Sequence, residues 1–227
     1  MKYFNSRTIL SITIIALIIL LCEIKVDAQK AEFGLRFMPT FSNFDVKTSS
    51  GGTVSGEANL GMGFGALLGF NFSDHVGIQG EVIYSSASQK YKDVDVERKV
   101  QLRYVNIPLL LSLNTNKSKA VNLNIVAGPQ IGINVGSSLK VSGGDITTNS
   151  NGVLSIRKGD IGFAYGAGLD FGLNPSRTLR LGLGYRGVIG MFDISDNSNN
   201  ITTDRFYILD RSHIKSHAAY IGLSFLF

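Results

Sequence analysis

From residue 32 onward, apolar residues recur at every second position, the period of a strand whose two faces meet different surroundings. Phe33, Leu35, Phe37 and Phe41 alternate with Gly34, Arg36, Thr40 and Ser42. Leu60, Met62, Phe64, Ala66, Leu68, Phe70 and Phe72 alternate with Gly61, Gly63, Gly65, Gly69 and Asn71. The same rhythm runs through Val76–Tyr84, Val121–Ile133, Ile161–Phe171, Leu179–Tyr185 and Ala219–Phe227. Lys99–Leu113 is less regular: Leu102 and Tyr104 hold one phase while Val105, Ile107, Leu109 and Leu111 hold the other, so a bulge near Pro108, which cannot donate to a ladder, is expected. Eight strands are predicted, with no helical period between them.

The links between these segments alternate in length. Ser73–His75, Asn114–Lys119 and Asn174–Ser176 are short. The links around 45–58, 86–98, 136–158 and 193–212 are long, polar and rich in Gly, Ser, Thr, Asn and Asp. An antiparallel meander with all its long loops at one end follows.

The polar positions are mostly Gly, Asn, Gln and Ser with a few isolated charges, which suits the narrow interior of an eight-stranded barrel better than a face in water. The apolar positions carry aromatics at two levels. Phe33, Phe70, Phe72, Phe171, Phe225 and Phe227 lie near the short turns, and Tyr84, Tyr104, Phe163, Tyr165 and Tyr185 lie toward the long loops. Two aromatic girdles around an aliphatic band are what a membrane barrel needs at its interfaces. The fold expected is all-β: an eight-stranded antiparallel up-and-down transmembrane β-barrel.

Composition narrows the compartment. Lys2 and Arg7 precede an apolar stretch, Ile9 to Leu21, and Val26-Asp27-Ala28 offers a small-residue cleavage site, so residues 1–28 read as a cleaved signal peptide and 29–227 as one barrel domain. A lipoprotein signal built on Cys22 is the rival, with Leu21 where a small residue is expected. Cys22 is the only cysteine of the 227 residues, so cleavage leaves no disulfide, thiolate metal site or cysteine nucleophile. The formal net charge is +5. Removing Lys2, Arg7, Lys25, Glu23 and Asp27 from 22 basic and 17 acidic residues leaves 19 against 15, too mild a surplus to imply nucleic acid. Beyond the first 22 residues no apolar run reaches the 18 or so needed for a membrane helix.

Leu67-Leu68-Gly69-Phe70, Gln79-Gly80-Glu81-Val82 and Tyr104-Val105-Asn106-Ile107-Pro108-Leu109-Leu110-Leu111, with Ala127-Gly128-Pro129 and Gly166-Ala167-Gly168-Leu169, resemble the PorT-like outer-membrane β-barrel family in order and spacing. Asn106 departs from that pattern, which usually has Glu there. The resemblance implies an eight-stranded barrel in a Gram-negative outer membrane; for such a barrel, periplasmic termini and extracellular long loops are expected. One family member is associated with protein secretion, and no catalytic residues carry over.

Five interior charges form the best-defined constellation: Arg36, Glu81, Asp170, Arg180 and Arg186. Folding about Asn174–Ser176 brings Asp170 near Arg180, and buried charges must be paired, so a salt-bridged plug of the lumen is expected; an ion path or substrate cleft is the alternative. Lys90, Lys92, Arg98 and Lys99, with Arg103 below them, are candidates to contact lipid-A phosphates of lipopolysaccharide, although Asp93, Asp95 and Glu97 are interleaved among them. His213 and His217 lie about 13 Å apart on one strand face, too far to share a metal. A lipid-interface hydrolase or acyltransferase would need a serine beside one of them. Phe227, on the lipid side, resembles an assembly signal read by the barrel-insertion machinery. No cofactor or metal site is expected, and the role expected is that of a structural or interaction protein without catalytic function. Its partners would be outer-membrane lipid and an unknown protein at the surface loops or periplasmic face.

Overall fold

The computed structural model describes residues 31–47, 53–55, 57–93, 96–143, 152–198, 206–209 and 212–227. The expected signal peptide, Cys22, Asp95 and parts of the third and fourth long loops lie outside the described residues. In chain order the strands are β1 (Ala31–Asn43), β2 (Asp45–Lys47), β3 (Thr53–Ser55), β4 (Glu57–Asn71), β5 (Val76–Asp93), β6 (Val96–Asn114), β7 (Val121–Ser142), β8 (Gly152–Val153), β9 (Gly159–Gly172), β10 (Leu179–Gly190), β11 (Phe206–Tyr207) and β12 (Lys215–Leu226). Eight of them, in the order β1-β4-β5-β6-β7-β9-β10-β12, close into a barrel. Each neighbours the next in sequence and every pair is antiparallel. Ala31 and Phe227 exchange backbone bonds of 3.0 and 2.9 Å at the seam. This is the up-and-down barrel that the alternation and the loop lengths predict.

Burial is inverted relative to a soluble protein. Leu68 is 66% exposed and Met62 59%, whereas Glu81 is 2% exposed and Arg180 and Asn122 are fully buried. Only an apolar solvent around the barrel makes that arrangement favourable, since a cation facing lipid at mid-depth costs about 2–4 kcal/mol. Phe225 stacks on Phe227 with ring centroids 6.0 Å apart, and Phe70 meets Phe72 edge-on at 5.5 Å, so the girdle at the short-turn end is present as expected. At the other end Phe64 and Tyr84 pack together, as do Tyr165 and Tyr185.

Strand β6 departs from expectation. It keeps one phase throughout, with Ile107, Leu109, Leu111 and Leu113 outward and Val100, Leu102, Tyr104 and Leu110 buried inside. The β6–β7 register shift lies between Arg103 and Tyr104, paired with Gly136 and Asn134, so Val135 on β7 is the bulged residue and Pro108 marks no bulge. Tyr104 therefore does not belong to the outer girdle. The apparent phase change at Tyr104 has a different cause: the inner face itself turns apolar toward the long loops.

The long strands explain why. β6 has 19 residues and β7 has 22, about twice the 9–11 that cross a membrane, so the barrel wall continues beyond the lipid. β7 runs on to Ser142, through the first residues of the region from 136 that reads as loop in the sequence.

Candidate functional site

The lumen is filled in layers. At the short-turn end the turn after β6 folds inward: Lys117 Nζ forms an ion pair with Glu32 of β1, and both side chains are almost fully buried. Arg180 donates to the main-chain carbonyls of Lys117 (2.9 Å), Lys119 (3.1 Å) and Asp170 (3.1 Å). The hairpin thus brings Asp170 near Arg180 as expected, but Asp170 lies opposite Gly182 and Arg180 opposite Gly172, an offset of one inward position, so the contact is to the main-chain oxygen of Asp170. The Asp170 carboxylate instead accepts from Asn122 at 3.0 Å, within an amide network that includes Asn114, Asn124 and Ser112.

At mid-depth three of the five expected interior charges meet. Arg186 from β10 binds Glu81 of β5 across the lumen with two bonds, 3.1 and 3.0 Å. Arg36 from β1 reaches the same carboxylate at 2.5 Å, and Gln79 donates to it as well. Two guanidinium groups on one carboxylate satisfy its lone pairs and leave one positive charge, which rests on an aromatic face: the Arg36 guanidinium lies 4.5 Å from the Tyr220 ring centroid.

Inward glycines make this packing possible. A Cβ on Gly168 would sit 2.0 Å from the Tyr220 hydroxyl, and one on Gly184 2.7 Å from its ring. These glycines are the bed on which Tyr220 lies. Tyr220, Gln79, Glu32 and Lys117 were not singled out by sequence reasoning. The first three sit on inward-facing positions and were within reach of the alternation rule; Lys117, in a turn, carried no signal.

Above the cluster lies a cavity of about 60 Å³. Its polar lining includes Thr40, Ser85, Asn106, Gln130, Asp160 and Arg186. Asp160 Oδ1 and Arg186 Nε are buried there without a hydrogen-bond partner.

The mouth above is closed by hydrocarbon. Phe44, Ile194, Ile208 and Leu209, from segments that follow β1 and β10, pack onto Ala87, Tyr91, Val100, Leu102 and Tyr104 of the inner wall. Leu154 and Ile156 from the third long loop join them. Backbone bonds hold this cap: β8 pairs with β11, Ile156 bridges Ser195, and Arg157 N donates to Ile194 O at 2.9 Å. Burial raises the Asp193 carboxyl, but hydrogen bonds from the side chain and backbone of Ser195 and the backbone of Ser212 outweigh it and hold the group below the usual carboxylate range.

Among the proposed lipopolysaccharide contacts, Lys90, Lys92 and Lys99 lie on the outer surface, Lys90 paired with Glu97 at 3.2 Å. Arg98 does not join them. Adjacent to Lys99, it points the opposite way and is 2% exposed inside the wall, so it is removed from that set. On the outer face His217 Nδ1 shares a 2.5 Å hydrogen bond with the Tyr185 hydroxyl and stacks on its ring. The neighbour is thus a tyrosine rather than the serine that a lipid-interface hydrolase would use. Among the described residues no three His, Cys, Asp or Glu side chains converge to hold a metal ion.

An inside-out, eight-stranded antiparallel barrel with paired charged side chains packed in its lumen defines a small outer-membrane barrel protein. Residues 27–196 match the family described as "Outer membrane protein beta-barrel domain", and the chain belongs to it; β12 lies beyond the matched segment yet closes the barrel. No curated protein sequence matches the chain. Among solved structures it is similar to outer membrane protein OprG of Pseudomonas aeruginosa, with 14% identity, 88% of this chain and 97% of that one covered, and a TM-score of 0.51. Neisserial surface protein A is similar at 15% identity, covering 86% and 97%, with a TM-score of 0.44. The family match makes the compartment an outer membrane.

The expectation that the protein lacks catalytic function is corrected by the same comparisons. Similar barrels include the outer membrane protease OmpT of Escherichia coli (10% identity, 89% and 98% covered, TM-score 0.45) and the outer membrane enzyme PagL (12% identity, 81% and 97% covered, TM-score 0.30). Enzymes share this architecture, so a small barrel fold is no ground for excluding catalysis.

Proposed function

We propose that this outer-membrane barrel works through its exposed ends rather than by passing solutes through its lumen, with the cap formed by its third and fourth long loops as the docking face. In this reading the long loops face the cell exterior, the chain termini lie in the periplasm, and the insertion machinery reads Phe227. The observation that carries it is closure at successive depths: the Arg180 layer, the Arg36–Glu81–Arg186 cluster and the hydrocarbon cap. Side chains occupy the route a porin keeps open. The resemblance to PorT-like barrels supports a protein partner belonging to a secretion assembly.

The test is photo-crosslinking in cells, with the probe at Lys158 beside the cap and, as control, at Asp74 in a short turn. A defined adduct at Lys158 that is lost when the cap is loosened by Ile208→Ala supports the reading. Equal adducts at both ends, or none at either, overturn it.

The cavity above the charge cluster favours a second reading, a narrow ion path. Its unpartnered Asp160 and Arg186 atoms offer an ion a place to rest between two closed gates. Unitary conductance in a planar bilayer would select this reading over the first.

A further inference from the structure

The β5, β6 and β7 ladders set three lysines on a single rung. Lys90 pairs with Lys99, and Lys99 with Lys140, so three cations on adjacent outward positions are spaced about 5 Å apart. Like charges directly opposite one another destabilise a sheet. Glu57 stands at the β4 end of the same rung and Glu97 pairs with Lys90, but Lys99 and Lys140 have no ion-pair partner among the described residues. Arg103 lies four residues further down β6 on the same outer face, about 13 Å away along the strand. Beside and above it the surface positions are Ser86, Gln101, Gly136 and Ser138, small or hydrogen-bonding residues that leave a trough with cations at both ends, and Ser88, on the rung of Gln101, is buried beneath it.

Directly below Arg103, the outer face of β6 continues as Val105, Ile107, Leu109, Leu111 and Leu113. The lysine rung sits about 15 Å above Val105 along the tilted wall, at headgroup depth. The trough is therefore continuous with a lipid-facing apolar strip, which favours an amphiphile over a soluble polyanion.

We propose that Lys90, Lys99, Lys140 and Arg103 form a binding site for a phosphorylated glycolipid of the outer leaflet, with phosphates on the lysine rung and on Arg103, sugar hydroxyls on the serines and Gln101, and acyl chains along β6. This deepens the expected lipopolysaccharide contact, adding Arg103 and Lys140 and omitting Arg98, and it rests on the long loops facing outward.

The test titrates the folded full-length barrel in nanodiscs with bisphosphorylated, acylated lipid A. Lys99→Gln/Lys140→Gln should weaken binding at least tenfold. Lys215→Gln, the same change of residue type on β12 across the barrel, should leave it within about twofold. Without lipid A the double variant should melt no lower than the wild type, because it removes like-charge repulsion; this separates lost binding from lost folding. Dephosphorylated lipid A should bind the wild type no better than lipid A binds the double variant. Equal binding of lipid A to wild type and double variant, an equal loss in Lys215→Gln, or equal binding of the de-acylated bisphosphorylated disaccharide would overturn the site. Orientation is read separately, by labelling Lys140→Cys on intact cells. A label that enters only after lysis rejects the outward-facing reading, and with it the outer-leaflet partner, even where binding in nanodiscs stands.

Discussion

The middle of the lumen and its mouth are both closed, but by opposite chemistry. At mid-depth Glu81, Arg36 and Arg186 fill the barrel with charge, and the closure is strong because one carboxylate binds both guanidinium groups across the lumen. At the mouth Ile194, Ile208 and Leu209 close it with hydrocarbon brought in from loops. The wall at mid-depth faces lipid, so every polar group must be satisfied internally. The wall at the mouth stands beyond the lipid, where an apolar interior can be covered by chain folding back from outside. The first closure is built into the barrel wall, and the second is laid onto it by segments outside the wall.

The largest effect should come from Glu81→Leu. It leaves Arg36 and Arg186 buried without their shared counter-charge, and breaking a buried pair by removing one partner costs about 3–5 kcal/mol. Urea unfolding in detergent should show global loss of stability of that size. Ile208→Ala should be felt differently: about 2–5 kcal/mol is lost from packing, but within the cap. Hydrogen exchange at Ile208 and Arg157 should accelerate while the barrel midpoint moves little. A global loss equal to that of Glu81→Leu would mean that cap and barrel fold as one unit.

A smaller effect is expected of Asp170→Asn. Because Arg180 holds the main-chain oxygen of Asp170 and the carboxylate accepts from Asn122, an amide that still offers an oxygen should cost no more than about 1 kcal/mol. A loss near that of Glu81→Leu would restore the ion pair that the register argues against. The smallest is a pH effect on the cap. The Asp193 carboxyl is held below its ordinary range by its Ser195 and Ser212 contacts, so its contribution is present above that range and is lost as pH falls through the depressed value. Cap amides should exchange faster in acid after the intrinsic pH dependence is removed, and Asp193→Asn should abolish that additional change.

How much was legible in the sequence follows the same division. Period-two alternation carries the eight strands and places Arg36, Glu81, Arg180 and Arg186 on one inward face, because a strand within lipid cannot mix its faces. It failed above the lipid. There Leu102 and Tyr104 are apolar and inward, so they read as a change of phase, and Arg98 was grouped with Lys99 despite pointing the opposite way. The cap residues Ile194, Ile208 and Leu209 sit in aperiodic polar loops where no pattern marks them. Lys117 fills the short-turn end from a turn, and turn residues carry no face. The proximity of Asp170 to Arg180 follows from the hairpin, but which oxygen of Asp170 Arg180 meets is a register detail set by the turn, which alternation does not specify.

Sealing of the lumen by its charged layers independently of the hydrocarbon cap is tested most directly by single-channel recording in planar bilayers. The wild-type barrel and Ile208→Ala should both remain silent, because the charge cluster still spans the lumen when the cap is loosened. Steady unitary conductance in the wild type would contradict the account, and conductance appearing in Ile208→Ala alone would show that the cap is the only seal.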